Sequence, residues 1–355
     1  MHKIWSLYQN EMIKVSRRKL IWVMGIILIA LLLLINMGMK MLYNNDVSSE
    51  TNTEEVWQNQ QLMDQQNLDE IRSQIESGYS YSGEVLLPSQ IEELEQEAAV
   101  LEYKLSSNYY ERCSGQSTTK SLFINITWTL MLNIDRTILF IFCVLIAGTA
   151  VSSEISSGSI KSLIIAPVKR WKIFLAKSFM ILTMLILGTL FSYGVSALLQ
   201  GAFFGFDAGL PVVRMAGSAV VETPLFAFML EHLVLSMFDI LVICVFALML
   251  SAVIRSSAAS VAISMGVYFI VTDVVRIISM LIDKWWVKYI PFVNFNIQNR
   301  ILGSASSEIE QILGTGQAAS AGTPSIAFSL IYLCVLTIGM YYIAWDSFCR
   351  RDIKK

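Results

Sequence analysis

Residues 152–177 read SSEISSGSIKSLIIAPVKRWKIFLAK, a stretch with one acid (Glu154), one glycine (Gly158) and five bases (Lys161, Lys169, Arg170, Lys172 and Lys177). The runs that lead into and out of it, 137–153 and 178–206, hold no charge. About 20 apolar residues in a helix cross the roughly 30 Å of bilayer hydrocarbon, where every backbone group must be satisfied without water. Two such runs joined by a polar, basic connector read as two membrane spans. The connector belongs on the cytoplasmic side, where lysine and arginine gather.

The rest of the chain fits that start. It has 355 residues, of which 55% are hydrophobic and only 15% charged, and a mean hydropathy of +0.57. Those values lie outside the range of soluble domains and predict an all-α membrane protein. The run 20–39 is apolar and charge-free, and 225–254, 256–281 and 325–345 complete a set of six expected transmembrane helices. The fourth is the least clean, because Glu231, His232 and Asp239 interrupt it.

Orientation follows from the bases beside the spans. Lys14, Arg17, Arg18 and Lys19, the bases of the connector, and Arg350, Arg351, Lys354 and Lys355 all fall on one side if there are six spans, with both termini cytoplasmic. The first apolar run is too long for a secretory signal and reads as a retained anchor. Cys143, Cys244 and Cys334 lie in spans, Cys349 in the tail and Cys113 in an outside segment, so no intrachain disulfide framework is implied. An interchain bond through Cys113 stays open.

Several segments have a character of their own. Residues 1–19 read as a cytoplasmic interfacial helix, with Trp5, Tyr8, Met12 and Val15 on one face and Lys3, Lys14, Arg17 and Arg18 placed to reach headgroups. After the first span (20–43), residues 44–120 form an acidic segment expected outside. Its residues Ile91, Leu94, Ala98, Leu101 and Leu105 follow heptad spacing, and Leu68, Ile71 and Ile75 form a matching stripe. Between the two lies SGYSYSG at 77–83, a turn signal, so an extracellular helical hairpin domain is predicted. Ser89 and Glu92 suit a capping box at the start of its second helix. Residues 121–153 read as an amphipathic lead-in followed by the second span, 154–173 as the cytoplasmic connector and 174–206 as the third span. Residues 207–224 read as an extracellular loop, 225–254 and 255–281 as spans four and five, and 282–324 as an extracellular or re-entrant loop. Span six (325–345) and a cytoplasmic tail (346–355) complete the chain.

The inventory of reactive groups is thin. The only histidines are His2 and His232, so neither an HExxH zinc site nor a histidine-based triad is available, and no metal site is expected. No GxxxxGK[ST] loop occurs, so ATP-driven work would need a separate polypeptide and the chain itself is expected not to be an enzyme. No nucleic-acid partner is expected. Within the membrane, Asp239 falls at the depth of Val271 if spans four and five run antiparallel, near Asp273 and Arg276. That juxtaposition predicts a structural charge network of Asp239, Asp273 and Arg276. A proton or sodium route through Asp239 and Asp273 is the alternative.

The string Glu154…Gly158-Ser159-Ile160-Lys161-Ser162-Leu163…Pro167-Val168-Lys169-Arg170…Lys177 resembles the connector of ABC-2 type transporter permeases, the membrane subunits of one class of ATP-binding-cassette transporter. Six spans, an interfacial helix before the first, and Pro291-Phe292 after the fifth are also similar to that family. The resemblance implies that 154–173 carries a coupling helix docking on a separate ATPase subunit, which binds the ATP and Mg. Glu154, Gly158, Lys161, Leu163, Pro167, Lys169 and Arg170 would be the docking residues, and this chain would hold no cofactor. It further implies a bacterial plasma-membrane protein, paired with a second permease chain as a homodimer or heterodimer, and alternating access along a path lined by spans one, two and five. The long 44–120 segment departs from polysaccharide and sterol exporters. It is more similar to the branch associated with sodium efflux, bacteriocin immunity and antibiotic export, which implies export of a peptide, antibiotic or other amphipathic substrate. Two readings compete with this one: an ion-coupled carrier using Asp239 and Asp273, and a membrane sensor with an extracellular helical domain.

Overall fold

The computed structural model describes residues 2–47, 53–80, 83, 85–86, 88–114, 118–156, 169–205, 211–216, 219–254, 256–271, 274–275, 286–295, 297–298 and 324–350. Its helices are α1 (His2–Ser16), α2 (Lys19–Val47), α3 (Thr53–Ser77), α4 (Pro88–Ser106), α5 (Tyr109–Ser114), α6 (Thr118–Thr149), α7 (Ser152–Ser156) and α8 (Arg170–Phe204). A two-stranded hairpin follows, β1 (Val212–Ala216) and β2 (Ala219–Thr223), then α9 (Leu225–Val253), α10 (Ser257–Gly266) and α11 (Ile326–Arg350).

The chain is a mostly helical membrane protein. Five helices are long and apolar enough to cross a bilayer: Lys19–Asn44, Ile126–Thr149, Arg170–Phe204, Leu225–Val253 and Ile326–Arg350. At the predicted fifth span the described residues form a shorter apolar helix, α10, which widens into a π-turn at Val267–Val271. Helix α6 is the centre of the bundle and packs against α2, α8, α9 and α10. Phe140, Val144 and Ala147 along it are fully enclosed. By contrast α2 turns Trp22, Ile26, Leu34 and Met37 outward, as an apolar helix facing lipid does.

Helix α6 differs from expectation in its upper half. The sequence suggests a surface lead-in over 121–136 ahead of the span, whereas one continuous helix runs from Thr118 to Thr149 and buries Asp135 and Arg136. Polar partners from other helices, described below, meet both side chains inside.

At its other end α6 stops at Thr149 and the chain re-enters a short helix at Ser152. The backbone N–H groups of Val151 and Ser152 both donate to the Ser251 hydroxyl of α9, at 3.1 and 3.0 Å. Donors at a helix start have no intrahelical acceptor, so one side chain satisfies two of them. Replacing Ser251 by alanine is expected to cost about 1–3 kcal/mol for each buried donor left unpaired. Unfolding in detergent measures it; an unchanged thermal midpoint would remove the bridge from the account. Close by, an added Cβ on Gly148 would stand 2.7 Å from Val261 Cγ2, so glycine permits the tight approach of α10 to α6.

The segment between the first two spans folds as its heptads predict. Leu68 and Ile71 of α3 are buried against Ala98 and Leu101 of α4, with Ile75, Leu94 and Leu105 at the edges. The turn uses Gly78 and Gly83 at φ +71 and +82, values that favour glycine. The Ser89 side chain of the expected capping box and the Cys113 side chain lie outside the described residues. The stretch expected to be a plain loop, 207–224, contains the antiparallel β1–β2 pair, with Val213 opposite Glu222. Val213 packs on Trp57, Val100, Tyr109 and Tyr110, and the Tyr109 hydroxyl donates to the Pro211 carbonyl at 3.2 Å. Arg214 pairs with Glu231 at the start of α9, tying the hairpin to the bundle.

Helix α1 is docked on the bundle. Val15 is buried, Tyr8 and Met12 pack beside it, and the Tyr8 hydroxyl donates to Thr183 Oγ1 at 3.0 Å. Trp5, expected on the same face, is exposed and lies against the Tyr8 ring.

Candidate functional site

Four charged side chains meet where α1, α7 and the start of α8 come together, directly beside the connector. Lys177 Nζ lies 2.9 Å from Glu11 Oε2 and 2.8 Å from Glu154 Oε1. Lys14 bonds the same Glu154 oxygen and stands 3.7 Å from Glu11 Oε1. The Lys177 side chain has no exposure at all, Glu154 has 4% and Glu11 12%, whereas Lys14 keeps 46%. Glu11 and Lys14, three apart, share one face of α1. Lys177 falls on the inward face of α8 with Phe174, Met180 and Ile181. Two positive and two negative charges cancel, which is the condition for burying them.

Burial alone would raise the Glu154 pKa, but Lys177 and then Lys14 outweigh it and hold the carboxyl below its ordinary value. Burial likewise works to lower Lys14, while its hydrogen bond and attraction to Glu154, with help from Glu11, leave it above the ordinary lysine value. Lys14 was expected to reach lipid headgroups; its amine is instead committed inward. On the same side, Arg18 donates to Thr149 Oγ1 at 3.1 Å.

The two ends of the opening stretch, Glu154 and Lys177, thus touch each other, and α1 fastens over them. In sequence, residues 157–168 join the two sides of this cluster. Of the predicted docking residues, Glu154 is buried in the clamp, Lys169 is exposed immediately before α8, and Arg170 begins that helix half-buried. Gly158, Lys161, Leu163 and Pro167 lie outside the described residues. Sequence reading missed Lys177 and Glu11 as partners, because a base beside a span reads simply as a topology signal.

A second polar region occupies the middle of the bundle. Asp239, midway along α9 and fully buried, accepts from Arg136 of α6 at 3.4 Å and from the backbone N–H of Ile297 at 3.3 Å. The Arg136 guanidinium also sits 5.7 Å from the Tyr268 ring centroid, and Tyr268 stacks on Phe140 at 3.9 Å. Among the described residues the cation on Asp239 is Arg136; Asp273 and Arg276, the other predicted members of its charge network, lie outside the described residues. Ile297 and Gln298 are fully buried although they are not helical, and Asn294 ties this segment to α11 by accepting from Ser329 at 2.8 Å. Non-helical backbone at membrane depth needs such protein partners. Nearby, Tyr193 and His232 share a hydrogen bond of 3.0 Å, and Ser196 donates to Asp135 at 2.5 Å. Among the described residues no cluster of histidine, cysteine or carboxylate side chains suits a metal ion.

The model of a family described as "Protein of unknown function (DUF2705)" matches residues 95–354. The chain is 25% identical to "Uncharacterized protein YhcI" of Bacillus subtilis (strain 168) over 352 residues, 98% of this chain and 99% of the relative. It is 28% identical to "Uncharacterized membrane protein YdbK" of the same organism over 211 residues, 59% of this chain and 76% of that protein.

Proposed function

The chain belongs to the DUF2705 family, and from the construction of its connector end we propose that it is the permease subunit of a bacterial ABC-2 type ATP-binding-cassette transporter. A separate ATPase, carrying the ATP and Mg, docks on the 154–173 segment. Two permease chains form the transport unit in the plasma membrane, each with six spans, both termini cytoplasmic and the α3–α4 domain outside. The cargo is a peptide, antibiotic or other amphipathic molecule moved outward. The acidic character of the α3–α4 domain favours cationic cargo.

One observation carries this reading: the ion cluster of Glu11, Lys14, Glu154 and Lys177 joins the helices on either side of residues 157–168 in sequence and fixes α1 to both. A connector that receives force from an ATPase has to pass it to spans without bending at its root, and a buried, charge-balanced clamp meets that need. In this reading Glu154 is an internal anchor of the coupling segment, and Lys161, Lys169 and Arg170 offer the outward contacts.

The test is co-purification from the native membrane in mild detergent, comparing wild type with Lys161→Glu/Lys169→Glu. The expected result is a soluble ATPase bearing a GxxxxGK[ST] loop, recovered with wild type and lost with the variant while the variant remains folded. If no ATPase accompanies wild type under any nucleotide condition, the permease reading falls and an ion-coupled carrier replaces it.

A further inference from the structure

Asp135 lies inside the bundle on the face of α6 that meets α8, with 1% exposure. Its Oδ2 accepts from the Ser196 hydroxyl at 2.5 Å, and its Oδ1 has no hydrogen-bond partner. Ser192, one turn from Ser196, is likewise 1% exposed; its hydroxyl stands close enough to act on the Asp135 carboxyl yet makes no hydrogen bond of its own. Arg136, the next residue, is turned to another face of α6 and engaged with Asp239. Of the other titratable groups on the elements packed here, Tyr193 of α8 interacts electrostatically with Asp135, His232 of α9 bonds Tyr193, and Asp239 of α9 and Tyr268 beyond α10 meet Arg136; α2 carries Asn36, which bonds Met131. Among the described residues none supplies Asp135 with a counter-charge.

A carboxylate held at membrane depth without a cation is costly, whereas a neutral acid is not. We infer that Asp135, Ser192 and Ser196 form an intramembrane proton-binding site, in which Asp135 carries a proton on Oδ1 and the neighbouring hydroxyls complete its hydrogen bonding. A proton on Oδ1 removes the unpaired buried charge and gives that oxygen a hydrogen to donate to a neighbouring hydroxyl oxygen. The four side-chain oxygens of Asp135, Ser192 and Ser196 are too few to replace the shell of a metal cation, which takes six or more in calcium and magnesium sites. The inference does not depend on an ATPase partner.

Infrared spectroscopy of the full chain in lipid nanodiscs tests it. A protonated-carboxyl C=O band is expected at neutral pH in wild type, absent in Asp135→Asn and retained in Asp239→Asn. Ser192→Ala, which keeps the acid but removes its neighbour, is expected to move that band, and this variant decides the matter if Asp135→Asn does not accumulate. A spectrum in which neither variant alters a protonated-carboxyl band overturns the inference. So does a band that appears only when sodium is withdrawn, because the occupant would then be a metal cation.

Discussion

Replacing Lys177 by methionine is expected to destabilise the protein by about 3–5 kcal/mol, the range found when one partner of a buried ion pair is removed. The methionine fills the space of the lysine stem, so packing is spared and the loss is electrostatic. Glu11 and Glu154 then lose the fully buried cation between them and keep the half-exposed Lys14. Glu154→Gln combined with Lys177→Met removes one of the two stranded acids and is expected to recover part of the loss. Denaturation in detergent across pH adds a sign. In wild type, the lowered Glu154 pKa contributes stability that is complete above the ordinary value of 4.5 and disappears as pH falls through the folded value. The raised Lys14 pKa contributes stability that is complete below 10.5 and disappears as pH rises through its folded value. The clamp's contribution through these two groups is therefore level between those limits. In Lys177→Met the buried Glu154 loses its larger stabilising charge, so its pKa rises and the penalty of the substitution shrinks on acidification. A penalty that is the same at every pH would mean the damage is steric and the clamp is not electrostatic.

How much of this was readable in the sequence depends on whether an element is built from neighbours along the chain or across the fold. The α3–α4 hairpin was readable because Leu68, Ile71, Ala98 and Leu101 repeat at helical spacing and their partners lie one turn-joined helix away. The spans were readable because water-free surroundings force long charge-free helices. The β1–β2 pair had a signal, Gly217-Ser218 between two valine-rich runs, but it lies in a short segment between spans where a loop is the simpler reading. Arg136 and Lys177 were not readable as buried residues. A charge at the edge of an apolar run ordinarily marks where membrane ends, and only partners 103 and 166 residues away in sequence, Asp239 and Glu11, reverse that meaning. The candidate site was thus half legible: Glu154 and Asp239 stood out as charges in unusual places, while the partners that define what they do are set by tertiary packing.

Arg136→Met is expected to be comparably damaging, at about 3–5 kcal/mol, because it withdraws the guanidinium from a fully buried Asp239. The informative comparison is with Arg136→Met/Asp239→Asn. An asparagine carbonyl can still accept the Ile297 N–H, so the non-helical segment 297–298 keeps its anchor while the charge is gone. The double variant should therefore be more stable than Arg136→Met alone, with a coupling well above the few tenths of a kcal/mol by which independent sites depart from additivity. The same cycle separates the two roles that an acid in the middle of a span can have. If Asp239 is a structural counter-ion, Asp239→Asn alone withdraws a buried counter-charge from the Arg136 guanidinium and is destabilising, and pairing the substitutions restores order. If Asp239 instead exchanges a transported ion, Asp239→Asn alone should be well tolerated in stability and the two substitutions should simply add. Additive costs in the cycle would thus dismantle the ion-pair account and return Asp239 to the list of candidate cation-binding groups.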